Sequence, residues 1–187
     1  MRIAIYTLGC KVNQYETQAM EQELLRRGHT LVPFETAADG YIVNTCSVTA
    51  VSDKKSRQMI RRCRKLNPAA VVAACGCYVQ THAAEAASLD IDLIAGTGDR
   101  MAFLDLFEQV ARERQPLTLL DDALRRREFE ILPAGGMAER TRAMLKVEDG
   151  CVNFCTYCII PYARGPVRSL PKTAAVAQTA QLRQEGY

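Results

Sequence analysis

The stretch Tyr41-Ile-Val-Asn-Thr-Cys46, a helical run from about Thr49 to Leu66, and Val71-Val-Ala-Ala-Cys-Gly-Cys77 decide the fold. Tyr41-Ile42-Val43 reads as a short buried strand that ends in the polar turn Asn44-Thr45-Cys46. Asn67-Pro68 closes the helix, because the residue before a proline is driven out of the α region. Val71 to Ala74 then forms a second strand, running into Cys75-Gly76-Cys77. A strand, a crossover helix and a strand specify a parallel sheet with helices on its faces.

The same alternation extends in both directions. Upstream, Arg2 to Leu8 is β-rich and ends at Gly9-Cys10. Asn13 stands three residues before Glu16, the spacing of an N-cap with a reciprocal acidic partner. Helical spacing continues through Tyr15, Ala19 and Leu24, and Gly28 is placed to end that helix. Downstream, Asp92 to Ala95 predicts a strand ending at Gly96-Thr97-Gly98, and Met101 to about Arg112 a helix. Residues 1–114 are therefore expected to form an α/β domain, a parallel sheet with helices on both faces. Three of its strands end in cysteine-bearing turns, at Cys10, Cys46 and Cys77. Open parallel sheets bind ligands at the carboxyl ends of their strands, so these thiols are expected to converge on one sheet edge.

Cysteine is the compositional anomaly. The 187 residues include eight cysteines, with 48% apolar and 24% charged residues overall, an ordinary globular balance. Arg2 leads into Ile3-Ala4-Ile5-Tyr6 with no long apolar region, so no secretion signal is read. The longest purely apolar run, Ala69 to Cys75, is too short to cross a bilayer. A cytoplasmic protein without a membrane partner is expected, and a reducing cytosol favours metal or redox chemistry over disulfides. The net charge of +3 implies no nucleic-acid partner by itself. Its distribution is uneven: Lys54, Lys55, Arg57, Arg61, Arg62, Arg64 and Lys65 crowd one predicted helix. A solvated face and an RNA phosphate contact are both open readings of that run.

Residues 115–140 read as a connecting segment. Pro116, Pro133 and Gly135-Gly136 punctuate it, Arg125-Arg126-Arg127 is a charge run, and a strand pair is expected within it. From 141 to 187 a further unit begins: a strand over Ala143 to Val147, a loop from Gly150-Cys151, and a helix over about Lys172 to Gln184. Its loop reads Cys151-Val-Asn-Phe-Cys155-Thr-Tyr-Cys158, a C-x3-C-x2-C triplet. Thiolates are the usual ligands of iron–sulfur clusters, and three of them hold three irons of a cubane and leave the fourth open. A structural zinc site, the alternative, takes four ligands, and no obvious fourth lies nearby. The chain has two histidines, His29 and His82, and His82 reads as a surface or capping residue.

The triplet, with Tyr157 just before its third cysteine, resembles the cluster loop of the radical S-adenosylmethionine enzymes. The resemblance implies that Ala143 to Val147 is the first strand of a partial (β/α) barrel. It further implies that Cys151, Cys155 and Cys158 hold a [4Fe–4S] cluster whose open iron binds S-adenosylmethionine. Tyr157, Arg164 and Arg168 are the residues it points to for contacts with S-adenosylmethionine or substrate.

A narrower resemblance covers nearly the whole chain. Thr7-Leu-Gly-Cys10-Lys-Val-Asn-Gln-Tyr-Glu-Thr17, Asn44-Thr-Cys46-Ser-Val-Thr49, Gly76-Cys77-Tyr-Val-Gln80 and Cys158-Ile-Ile-Pro-Tyr-Ala-Arg-Gly165 stand in the order found in the methylthiotransferases. That family implies a second, auxiliary [4Fe–4S] cluster on Cys10, Cys46 and Cys77. The residues around Cys10 are most similar to the branch that methylthiolates C2 of N6-threonylcarbamoyladenosine at position 37, beside the tRNA anticodon. The implied partners are a tRNA anticodon stem-loop, a flavodoxin-type electron donor and a sulfur donor. Cys63, on an apolar helical face, reads as a buried thiol. Cys75 is open to a redox pairing or a competition with Cys77, and the Gly-Cys-Tyr-x-Gln pattern favours Cys77. The chain ends after one strand, loop and helix of a barrel, so it is expected to be an amino-terminal fragment that does not turn over alone. The alternative is a non-catalytic metal-binding or thiol-redox α/β protein.

Overall fold

A computed structural model describes residues 1–134 and 142–187. Six strands build the main sheet: β1 (Arg2–Thr7), β2 (Thr30–Leu31), β3 (Gly40–Thr45), β4 (Val71–Gly76), β5 (Leu93–Ala95) and β6 (Leu117–Leu119). They lie in the order β2-β1-β3-β4-β5-β6, and every adjacent pair is parallel. Strands β3 and β4 are buried along their whole length, as sheet centres covered on both faces must be.

The pleat divides the core in two. Ile3, Ile42, Val71, Ala73 and Cys75 face one layer, which contains α1 (Lys11–Arg26) and α5 (Arg100–Glu113) through Met20, Leu24, Phe103, Leu104 and Phe107. Ala4, Tyr41, Val43, Val72 and Ala74 face the other, made of α2 (Ala50–Leu66), α3 (Cys77–Thr81) and α4 (Ala83–Ala87). Helix α2 opens where its sequence predicts, with the Thr49 side chain accepting from the Ser52 amide at 3.2 Å.

Three expectations are corrected. Helix α1 starts at Lys11 with Cys10 at its N-cap, so Asn13 is not the cap and Glu16 does not reach back to one. Gly9, at φ +99°, turns the chain sharply enough to start the helix at once. Among its described residues the connecting segment supplies one strand, β6, which extends the main sheet, followed by a single 3-10 turn over Ala123–Arg125. Gly135-Gly136 and the limits of the segment at 140 and 141 lie outside the described residues.

The third correction concerns Ala143 to Val147, which is not a strand. Ala143, Met144 and Leu145 instead pack with Tyr15, Ala19, Leu132 and Leu182 in a third apolar cluster, while Lys146 turns to Glu16. Pairing is confined to β7 (Glu148–Asp149), which runs antiparallel to β8 (Arg168–Ser169). Between them lie the cysteine triplet and α6 (Ile160–Arg164), and after them α7 (Lys172–Gln184). Tyr15 donates to the Leu132 carbonyl at 2.9 Å, and Gln178 to the same oxygen at 2.7 Å, which ties α1, the connecting segment and α7 together.

Candidate metal centre

In a doubly wound sheet the crevice forms where the strand order reverses, outside the carboxyl ends of the strands. Here the reversal falls between β1 and β3. Cys10 follows β1, Cys46 follows β3 and Cys77 follows the adjacent β4. The three turns are stitched to one another. Asn13 donates to the Leu8 carbonyl at 2.8 Å and to the Thr45 carbonyl at 2.9 Å, binding the first turn to the second. Thr45 Oγ1 donates to the Cys75 carbonyl at 2.6 Å and accepts from the Val79 amide at 3.4 Å, binding the second to the third. Ser56 of α2 donates to the Cys46 carbonyl at 3.0 Å and accepts from the Cys46 amide at 3.3 Å.

Glycine is required twice in this frame. A Cβ on Gly9 would lie 2.7 Å from Cys46 Sγ, and one on Gly76 would lie 2.5 Å from the Thr45 carbonyl oxygen. Both glycines have φ +99°, where other residues are strained.

Cys10 is exposed, and Cys46 and Cys77 are buried. Burial pushes the Cys77 thiol up to about 11; Arg164 opposes that rise, and Glu16, Cys10 and Cys46 add to it. The Cys77 sulfur therefore shares one electrostatic neighbourhood with the two other thiols and a guanidinium. All eight cysteines are free. Among the described residues, no group of three histidine, cysteine or carboxylate side chains is placed to hold a metal ion. The donor set nevertheless suits a cluster with one open position: three unpaired thiols, one of them exposed, beside a buried cation that offsets thiolate charge.

The second cysteine set lies on the loop between β7 and α6. Gly150, at φ +86°, packs so tightly that a Cβ would lie 2.1 Å from the Pro166 carbonyl oxygen. The Cys151 amide donates to the Gly165 carbonyl at 2.9 Å and the Cys158 amide to the Cys155 carbonyl at 2.9 Å. Phe154 is held at φ +46°, an uncommon conformation for an aromatic residue, with its ring edge-on to Tyr162. Cys155 is exposed, Cys151 and Cys158 are half-buried, and Tyr157 is 90% exposed.

Between the two sets lies a charge network that sequence reading missed. Glu16, fully buried, accepts from Arg100 at 2.9 Å, Arg164 at 2.8 Å and Lys146 at 3.3 Å. Asp149 takes Lys146, Arg164 and Arg168 at 3.3, 3.1 and 3.4 Å. Arg164 also donates to Asn13 Oδ1 at 2.7 Å, and the Cys10 thiol lies 3.9 Å from that oxygen. Burial alone would raise the Glu16 carboxyl, but Arg164, Arg100 and Lys146 outweigh it and hold the group well below the usual carboxylate range. A legible signal did exist. Glu16, Met20 and Leu24 follow one another at helical spacing, and all three are buried, so Glu16 is a charge on an apolar stripe.

Arg164 and Arg168 are both buried, and their hydrogen bonds run inward. Besides Asp149, Arg168 donates to the Arg164 and Pro166 carbonyls at 2.9 and 2.7 Å. Cys63 is buried against α2's own turn, and Cys75 lies in the α1/α5 core, where burial pushes it up to about 11. His82 sits between α3 and α4, stacked on Tyr78 with ring centroids 5.2 Å apart.

The profile of a family described as "Uncharacterized protein family UPF0004" matches residues 2–96, more than half of the chain. The chain belongs to the UPF0004 family. That match takes in Cys10, Cys46 and Cys77 and leaves the triplet outside it. This UPF0004 chain is 45% identical over 186 residues to the threonylcarbamoyladenosine tRNA methylthiotransferase MtaB of Bacillus subtilis, covering 99% of the chain and 41% of that protein. It is 38% identical over 188 residues to the MtaB of Aquifex aeolicus, covering 100% of the chain and 46% of that protein. Identity to the tRNA-2-methylthio-N(6)-dimethylallyladenosine synthase of Thermotoga petrophila is 32% over 195 residues, with 100% and 42% covered. The chain thus spans less than half the length of these curated relatives. No helix among the described residues is long and apolar enough to cross a membrane.

Proposed function

We propose that this chain carries the two thiol centres of a cytoplasmic tRNA methylthiotransferase acting on C2 of N6-threonylcarbamoyladenosine at position 37. The observation that carries the reading is that the turns bearing Cys10, Cys46 and Cys77 are hydrogen-bonded to one another at the strand-order reversal, with Arg164 reaching Asn13 beside the first of them from the helix that follows the triplet. The proposed ligand sets are Cys10, Cys46 and Cys77 for an auxiliary [4Fe–4S] cluster and Cys151, Cys155 and Cys158 for a second one that also binds S-adenosylmethionine. When bound, these groups supply the radical and sulfur-transfer chemistry that an unactivated aromatic C–H requires and no side chain can provide.

The chain's own residues do the rest. Gly9, Asn13, Thr45 and Gly76 hold three turns at one edge, and Arg164 places positive charge beside thiolates that would otherwise repel one another. The exposed side of the triplet, with Cys155 and Tyr157 at its surface, leaves room for a small molecule and for a base splayed out of an RNA loop. Arg164 and Arg168 act in this reading as positioning residues beneath the triplet. Residues 1–114, completed by β6 of the connecting segment 115–140, would form the auxiliary-cluster domain, and 141–187 the start of the radical unit. A flavodoxin-type reductant and a sulfur donor complete the proposed partners.

The test is nucleoside mass spectrometry on tRNA from cells that lack the gene and carry the full-length gene containing this sequence back on a plasmid. Wild type restores the methylthio form of threonylcarbamoyladenosine, and Cys10→Ala or Cys155→Ala does not. Restoration by either variant would contradict the reading.

A further inference from the structure

Seven basic residues on α2 face a single acid on the same helix, Asp53. The structure separates them into two groups. Arg57 pairs with Glu85 at 3.0 Å and lies over the Tyr78 ring, 5.7 Å from its centroid. Arg62 pairs with Glu35. Arg64 pairs with Asp90 at 2.9 Å and Asp92 at 2.8 Å, and donates to the Ala70 carbonyl at 2.6 Å. These three are structural cations, tying α2 to its neighbours. Lys54, Lys55, Arg61 and Lys65 have no ion pair or side-chain hydrogen bond to any described residue.

Three of the unpaired cations are aligned. At about 100° per residue, Lys54, Gln58, Arg61 and Lys65 fall within about 60° of arc on one side of the helix. All four are exposed. At about 1.5 Å per residue the row is about 16 Å long, with cations about 10 and 6 Å apart. The acids Glu35, Glu85, Asp90 and Asp92 are already occupied by Arg57, Arg62 and Arg64, and Asp53, about 100° round the helix from Lys54, makes no ion pair with the row. The row is therefore an uncompensated line of positive charge on a rigid support.

We infer that Lys54, Arg61 and Lys65 form a docking surface for the sugar–phosphate backbone of an RNA. The inference rests on the proposed RNA-modifying function and adds where the RNA is held. A line of cations matches the linear charge of a nucleic acid strand. A protein-binding patch has an apolar or aromatic centre inside a polar rim, whereas here the residue within the row is Gln58, and the exposed Val51 lies beyond the row's amino-terminal end. The position also suits the function. Helix α2 begins four residues after Cys46, so the row starts about one turn beyond the trio's loop and runs away from it. An RNA lying along the row places its neighbouring nucleotides beside the carboxyl edge of the sheet.

The test is fluorescence anisotropy of a labelled anticodon stem-loop RNA against the whole chain, from 50 to 200 mM salt. The Lys54→Ala/Arg61→Ala/Lys65→Ala variant removes only exposed, unpaired side chains, and a thermal melt confirms that it stays folded. We expect at least about a tenfold loss of affinity at low salt and a fall of about two in the slope of log affinity against log salt. Arg62→Ala, which removes a cation already paired, leaves that slope unchanged. A triple variant with wild-type affinity and slope overturns the inference and leaves the proposed function standing. Wild type that fails to bind the RNA contradicts the RNA-modifying reading itself, and the inference with it. Unchanged RNA binding with loss of binding to a flavodoxin overturns it in favour of an acidic protein on the same row.

Discussion

Arg164 Nη1 donates to Glu16 Oε1 at 2.8 Å, joining two buried residues 148 positions apart in the chain. Glu16 lies on the helix that Cys10 caps, and Arg164 ends the helix that follows Cys158. The pair fixes the two cysteine sets to one another. Removing the carboxylate leaves Arg164, Arg100 and Lys146 buried with too little compensation, a situation that costs about 3–5 kcal/mol. Glu16→Gln is expected to lower the urea unfolding free energy by that amount. A loss under about 1 kcal/mol would show that the network does not hold the fold.

Glu16 also sets an acid limit. Its folded-state carboxyl is held well below the usual range by the three cations. A carboxylate depressed by folding stabilises fully above its unfolded value, about 4.3, and loses that contribution as pH falls towards its folded value. Glu16→Gln has no such contribution to lose. The stability gap between wild type and Glu16→Gln is expected to be constant from pH 7 to pH 5 and to narrow steadily below about pH 4. A gap of constant size down to pH 3, read from urea midpoints, would exclude this origin.

Gly9 separates the trio's geometry from its chemistry. Gly9→Ala adds a methyl group 2.7 Å from Cys46 Sγ at φ +99°. The strain is expected to cost about 1–3 kcal/mol and to displace Cys46 from Cys10. Iron bound at the trio should fall sharply, while iron bound at the triplet is retained. Equal loss at both sites would mean that the whole chain had unfolded.

Cys75 and Cys77 lie two residues apart in different surroundings. Cys75 belongs to the α1/α5 core, and Cys77 starts α3 at the carboxyl edge. Cys75→Ala is expected to cost about 1–2 kcal/mol of stability without changing iron content. Cys77→Ala should remove the trio's iron. The reverse pattern would assign Cys75 as the ligand.

The fold was legible where one local rule acted alone. Thr49 caps α2, Asn67-Pro68 ends it, and the apolar runs at 41–43 and 71–74 became the two central strands. Because those strands and β1 end in cysteine turns, the sheet edge could be read without a structure. Sequence reading failed where tertiary partners override local preference. Asn13 and Glu16 have capping-box spacing, but Asn13 spends its amide on the Leu8 and Thr45 carbonyls and Glu16 its carboxylate on three distant cations. Ala143 to Leu145 look like a strand because they are apolar, yet the groove beside Tyr15 and Leu182 takes them instead of a neighbouring strand. The two-residue β2 and three-residue β6 are too short to show a period. The seven cations of α2 look alike in sequence, and only the positions of Glu35, Glu85, Asp90 and Asp92 separate them.

The proposed assignment gives each of two independent thiol sets one cubane cluster. The most direct measurement is iron and acid-labile sulfide per chain after anaerobic reconstitution, on wild type and on the Cys151→Ala/Cys155→Ala/Cys158→Ala variant. About eight irons in wild type, falling to about four in the variant with matching sulfide, is the predicted result. Zinc without sulfide in both proteins would contradict the account and leave a metal-binding α/β scaffold in its place.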